Sequence, residues 1–211
     1  MKLRAIAAIA LTMSLLLSSP AGQAQLIDQG GMMTLDPATN LLWLDTSSTV
    51  GISAQSILNG TDPGNLLAAG WSFASVSQIS TLLTNAGLMP PLGTPLALNF
   101  AAASSFIALF GATGTGTGSV YIQAFSADQP SQGFLNMPIV LAGDFGTGNF
   151  VGQADLPGPP VLATTAASDI GSWLVMSNPV APVPEPEIYA MMGVGLALLG
   201  WVGRRRKVQS P

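Results

Sequence analysis

Three patterns in this 211-residue sequence predict an α+β domain built on an antiparallel sheet and two helices. Two short apolar segments flank a turn-rich link near residue 38, two stretches near residues 80 and 105 repeat apolar residues at helical spacing, and alternating segments follow from residue 119. Strands, then helices, then strands is the order of α+β domains, not of repeating βαβ units.

The chain opens MKLRAIAAIALTMSLLLSSPAGQAQ, with cations at Lys2 and Arg4, a 13-residue apolar run over residues 5–17 and small residues up to Ala24. This order is that of a secretory signal peptide, and its apolar part is too short for a comfortable membrane span. Residues 1–24 are therefore expected to form a signal helix cut after Ala24. An extracytoplasmic domain is expected over residues 25–177.

Within that domain GGMMTLDPATNLLWLD reads as a hairpin, because Asp36, Pro37 and Asn40 favour turn geometry between two apolar segments. ASVSQISTLLTNAG places Val76, Ile79, Leu82, Leu83 and Ala86 on one helical face. Ser75 and Gln78 have the spacing of a capping box and Gly87 marks the stop. A second helix follows from Phe100, Ala103, Ile107 and Phe110, opened from Asn99 and ended by Gly111. GATGTGTGS then reads as a flexible connection: it lacks a P-loop lysine, and a strand-like segment follows where a nucleotide loop needs a helix. Asn59-Gly60-Thr61 reads as a turn. SVYIQAFS, GFLNMPIVLA and GSWLVM read as strands, with Pro138 weakening one end of the second.

The chain closes with a Pro-rich linker over residues 178–187 containing Pro184, Glu185 and Pro186, a 16-residue apolar run over 188–203, and a tail over 204–211. As a helix the run would cover roughly 24 Å against a hydrocarbon core of about 30 Å, so it spans only with little tilt or with help from its flanks. Arg204, Arg205, Arg206 and Lys207 form a cytoplasmic stop. These residues predict a transmembrane helix at the C-terminal end.

Apart from Lys2 and Arg4, every basic residue lies in that tail, and residues 25–183 hold eight Asp with no Glu, Lys, Arg, His or Cys. Ser, Thr or Cys nucleophiles lack the thiol or base they need, and an anionic surface repels nucleic acid. Structural zinc lacks its ligands, which leaves calcium as the one metal with suitable donors, on Asp128, Asp144 or Asp155 in expected loops. Mutual repulsion of carboxylates without cations is expected to raise some of their pKa values.

The Pro184-Glu185-Pro186 motif, the Gly- and Leu-rich run and the Arg-rich end resemble the PEP-CTERM sorting signal of Gram-negative bacteria. The resemblance implies export through the secretion machinery and transient anchoring in the inner membrane. It further implies cleavage near the motif by an exosortase, a membrane peptidase, and release to the cell surface or medium of exopolysaccharide-producing, biofilm-forming cells. Glu187 stands where Ser or Thr is frequent in that signal. GMMTLDPATNLLWLD, GWSFASVSQISTLLTNAG and SDIGSWLVM are similar to a recurrent domain of such proteins and, more distantly, to the Lcl domain. That similarity implies a C-type-lectin-like fold with the first hairpin close to the Trp173 strand, although the Lcl cysteines and its Trp-Arg pair are absent.

Two functions fit these residues. One is a non-enzymatic surface or matrix protein with no cofactor beyond calcium, binding polysaccharide through exposed aromatic, Asp or Asn side chains, although Trp43 and Trp71 read first as core. The other is a secreted hydrolase acting on polysaccharide through two paired carboxylates.

Overall fold

A computed structural model describes residues 25–144 and 149–179 of the chain. The expected signal segment, the membrane span and the basic tail lie outside the described residues. Among the described residues no helix is long and apolar enough to cross a membrane.

Two sheets and a small ribbon carry the fold. The first sheet runs β1 (Ile27–Gly30), β2 (Met33–Asp36), β3 (Leu41–Leu44), then β12 (Leu174–Ser177) and β4 (Ser72–Phe73), with every pair antiparallel. The expected hairpin is β2–β3, with Asp36 opposite Leu41 across the turn. Trp43 pairs with Val175, so the hairpin and the segment after Trp173 are neighbours. The second sheet is built on β6 (Ser119–Phe125), β8 (Ile139–Asp144) and β9 (Phe150–Asp155). The short β11 (Gly171–Ser172) runs parallel to β6 at one edge, the single parallel pair beside otherwise antiparallel ladders among the described residues. A separate ribbon pairs β7 (Phe134–Asn136) with β10 (Pro160–Leu162).

Three expectations are corrected in detail. GSWLVM is not one strand: β11 and β12 belong to different sheets, and the chain crosses between them at Trp173. The Trp173 N–H donates to the Phe125 carbonyl of β6 at 2.9 Å and its carbonyl accepts from the N–H of Ala74, just after β4, at 2.8 Å, so this residue bonds to one sheet through its nitrogen and to the other through its oxygen. GFLNMPIVLA is likewise two strands, because Pro138 has no N–H to continue a ladder. The Thr/Gly stretch is no flexible connection but a hairpin arm, β5 (Gly114–Gly116), folded antiparallel onto β6 with Gly118 at φ +73° near the turn.

Both expected helices form, beside a five-residue α1 (Ala54–Leu58) and two 3-10 turns. In α2 (Val76–Asn85) the Ser75 hydroxyl accepts from the Gln78 N–H and the Gln78 side chain accepts from the Ser75 N–H, completing the capping box. Ile79, Leu82 and Leu83 are fully buried, and Gly87 takes φ +92° beyond the C-terminus. Helix α3 (Phe100–Phe110) buries Ala103, Phe106, Ile107 and Phe110. Asn99 does not cap it. Its backbone is already helical because a 3-10 turn over Ala97–Asn99 runs into α3, and its buried amide closes a loop by accepting from the Met89 N–H at 2.7 Å and donating to the Met89 carbonyl at 3.0 Å.

The main core lies where α2 and α3 meet both sheets. Phe106 and Phe110 stack with centroids 4.4 Å apart, and both rings pack on the Trp173 indole at about 6 Å. An aromatic trio of this kind combines large apolar burial with favourable ring geometry. The close approach of α3 to β9 requires a glycine: a Cβ on Gly152 would lie 2.8 Å from the Ala103 Cβ and collide with the Asn99 carbonyl. The chain divides into two compact units, Met1–Asn178 and Pro179–Pro211, and all the elements above belong to the first.

Candidate functional site

Carboxylates are the only strong acid/base groups that residues 25–183 possess, so their placement decides what chemistry the domain can perform. Several are committed to backbone and amide donors. Asp36, fully buried, accepts from the Ala38 N–H at 3.0 Å, the Thr39 hydroxyl at 2.7 Å and the Asn85 amide at 2.9 Å. Asp62 accepts from the Gly64 and Leu66 N–H groups through Oδ2. Asp128 reaches across from its loop to accept the Val76 N–H at 2.6 Å, placing a negative charge at the N-terminus of α2, where the helix dipole favours it.

The calcium candidates are not brought together. Asp128 faces α2, whereas Asp144 and Asp155 are the last residues of β8 and β9, not loop residues. Because those strands are antiparallel, Asp144 pairs with Phe150 and Asp155 with Ile139, at opposite ends of the ladder. Among the described residues no three acidic side chains are grouped to hold a metal ion.

The charge of Asp28 does reach Asp45. Burial pushes the Asp45 carboxyl above its ordinary pKa, and the negative charge of Asp28 adds to the effect. The expected mechanism, mutual repulsion, is therefore the second cause here and desolvation the first. One Asp45 oxygen, Oδ1, is buried without a hydrogen-bond partner. Asp28 is exposed and accepts the Gly30 N–H at 2.7 Å.

Two concavities, each about 440 Å³, flank α3. One is an apolar groove against β6, β8 and β9, lined by Phe100, Ile107, Val120, Ala142 and Phe150, with Ser104 the single polar side chain among the described lining residues. Phe150 is 55% exposed and packs on Phe100 with ring centroids 5.0 Å apart. Such a groove can bind apolar matter and offers no group that titrates near neutral pH. The other lies where β1 approaches α2 and α3, and Gln25, Asp28, Asn85 and Ser105 supply its polar lining.

Trp43, Trp71 and Trp173 are buried, with at most 8% of their surface exposed, so none is a platform for sugar rings. Trp43 and Trp71 are core residues, as their sequence context suggests. Phe150 gives no signal in the sequence, because a lone aromatic after a Gly-rich link carries no periodicity. The cluster around Asp36 has one, since Asp-Pro-Ala-Thr has the spacing of a side-chain-closed turn.

The sorting residues Pro184, Glu185 and Pro186, the stop residues Arg204, Arg205, Arg206 and Lys207, and the cleavage residue Ala24 lie outside the described residues. A family model described as the PEP-CTERM protein-sorting motif matches residues 182–207. The motif indicates an exported protein that is anchored transiently in a membrane and processed by an exosortase, itself a membrane protein. No curated protein and no solved structure gives a significant match to the chain.

Proposed function

We propose that this exosortase substrate is a non-enzymatic surface or matrix protein, whose domain over residues 25–178 is delivered outside the cell and retained in exopolysaccharide. The observation that carries the proposal is the charge inventory: residues 25–183 have no Lys, Arg, His, Cys or Glu. The placement of the eight Asp supports the same reading, since Asp36, Asp62 and Asp128 bind protein donors and Asp144 and Asp155 sit at opposite ends of one ladder. With the described tryptophans buried, contact with polysaccharide would fall to exposed polar side chains and to the Phe150 surface.

The second reading, a hydrolase with paired carboxylates, rests on Asp28 and Asp45. Glycoside hydrolysis uses two carboxyl groups of which one has a raised pKa, and Asp45 is raised by burial and by the charge of Asp28. Against it, Asp45 does not line the pocket that Asp28 lines.

The test is to recover the protein from membrane, medium and matrix fractions of its host and to identify its termini by mass spectrometry. Processing near Pro184 and enrichment with matrix polysaccharide are expected. The released polysaccharide should keep its chain length on incubation with the purified protein. Shortening that disappears in Asp45→Asn would replace this proposal with the hydrolase.

A further inference from the structure

We propose that cleavage after Ala24 gives the domain its only internal cation: the new Gln25 α-ammonium docks against Asp28 in the pocket between β1, α2 and α3. The inference rests on the export reading and on cleavage at that bond. It adds a role for the processed terminus itself.

Before cleavage the Gln25 nitrogen is a neutral amide, and no side chain between Arg4 and Arg204 is basic. After cleavage the same nitrogen is an amine with an ordinary pKa of about 7.7–8.0, charged at neutral pH. Its position is set by the fold. Leu26 packs against the main core, β1 begins at Ile27, and Gln25 and Asp28 line one pocket of about 440 Å³. Among the described residues of that lining Asp28 is the only charged one. Its Oδ1 is held by the Gly30 N–H, which fixes the carboxylate and leaves Oδ2 as the acceptor for an ammonium.

The surroundings favour a cation. Asp45, after the end of β3, feels the Asp28 charge, and Asp36, at the end of β2, is bound to Asn85, whose α2 position also lines the pocket. From α3 the pocket receives Ser105, which is uncharged. An ammonium docked there offsets negative charge that nothing else within residues 25–183 can neutralise.

Docking also protects the terminus. A free N-terminal glutamine cyclises when its amine lone pair attacks its own side-chain carbonyl carbon, forming a lactam and expelling the amide nitrogen as ammonia. A protonated amine bound to Asp28 has no lone pair to offer, so the reaction should be slow until Asp28 is neutralised.

The test uses the processed full-length protein purified from an exporting host. Mass spectrometry first identifies the terminus: a start other than Gln25 overturns the cleavage premise and the inference with it, while leaving the sorting motif untouched. The pH dependence of Gln25 acetylation, read on its terminal peptide, then gives the amine pKa. The expected value lies about 0.5 to 1 above the ordinary range in the wild type and returns to it in Asp28→Asn, which keeps the oxygen that Gly30 uses. Lactam formation on storage at pH 8 should be several-fold faster in Asp28→Asn. Equal amine pKa values in the two proteins, or recovery of the wild-type terminus wholly as lactam, would overturn the proposal.

Discussion

The Asn85 side-chain amide donates to Asp36 Oδ2 at 2.9 Å, tying the turn of the β2–β3 hairpin to the last residue of α2. The two residues are 49 positions apart, and the carboxylate is fully buried. It survives burial because an N–H, a hydroxyl and an amide share its two oxygens. One side chain thereby closes a local turn and links a sheet to a helix.

Removing that acceptor should be costly. Asp36→Ala leaves three donors to find other partners, and hydrogen bonds to charged groups contribute about 1.5–3 kcal/mol each. A loss of about 3 kcal/mol in urea denaturation is expected, with unchanged cooperativity, against less than about 0.5 kcal/mol for Asp155→Asn at an exposed strand end. Equal effects of the two substitutions would contradict the tie.

Asp45 sets a pH dependence of definite sign. Its folded pKa is raised, first by burial and second by Asp28, so the folded state binds more protons than the unfolded chain across that window. Stability from this group therefore increases as pH falls through the folded value toward the unfolded value of about 3.9, and is lost as pH rises again. Asp45→Asn should be more stable than wild type at pH 7, and the difference should shrink on acidification to pH 4. Thermal melts of both proteins across that range check the sign.

Gly152→Ala should destabilise the domain by about 1–3 kcal/mol, because the added methyl meets the Ala103 Cβ and the Asn99 backbone where α3 crosses β9. Gly133→Ala is the control. It replaces a glycine at positive φ whose Cβ would meet no atom within 4 Å, so only backbone strain is added. The expected order of melting temperatures, from the highest, is wild type, Gly133→Ala, Gly152→Ala.

A chain ending after Pro179 should unfold as cooperatively as the full-length protein, since the described elements all precede the boundary at Asn178. It should also pass into the medium without membrane retention, because the matched motif has been removed. Broadened unfolding would place part of the folding energy in the tail. Continued retention would give anchoring to some other segment.

The sequence by itself determined what is local or compositional. Ser75, Gln78 and Gly87 fixed both ends of α2, the 3.6-residue apolar spacing placed α3, and Asp36-Pro37 with Asn40 placed the turn between β2 and β3, because each signal acts within one or two turns of chain. Composition alone removed basic and thiol chemistry from the domain, and the tail carried its sorting motif in consecutive residues. Only the tertiary structure decided what depends on distant partners. The short strands β5 and β10 exist because other strands offer them ladders, and a three-residue segment such as Gly114–Gly116 has no periodicity to declare it. GSWLVM looks continuous in sequence, yet the Phe125 carbonyl and the Ala74 N–H claim the backbone of Trp173 and divide the segment between two sheets. The calcium candidates Asp144 and Asp155 were parted by the antiparallel register of β8 and β9, while Asp28 and Asp45, 17 residues apart, were drawn close enough to interact. Through-space electrostatics follows the folded path of the chain, and apart from Asp36, whose turn is written in Asp-Pro-Ala-Thr, the carboxylates carry no mark in sequence of which will be buried or bonded.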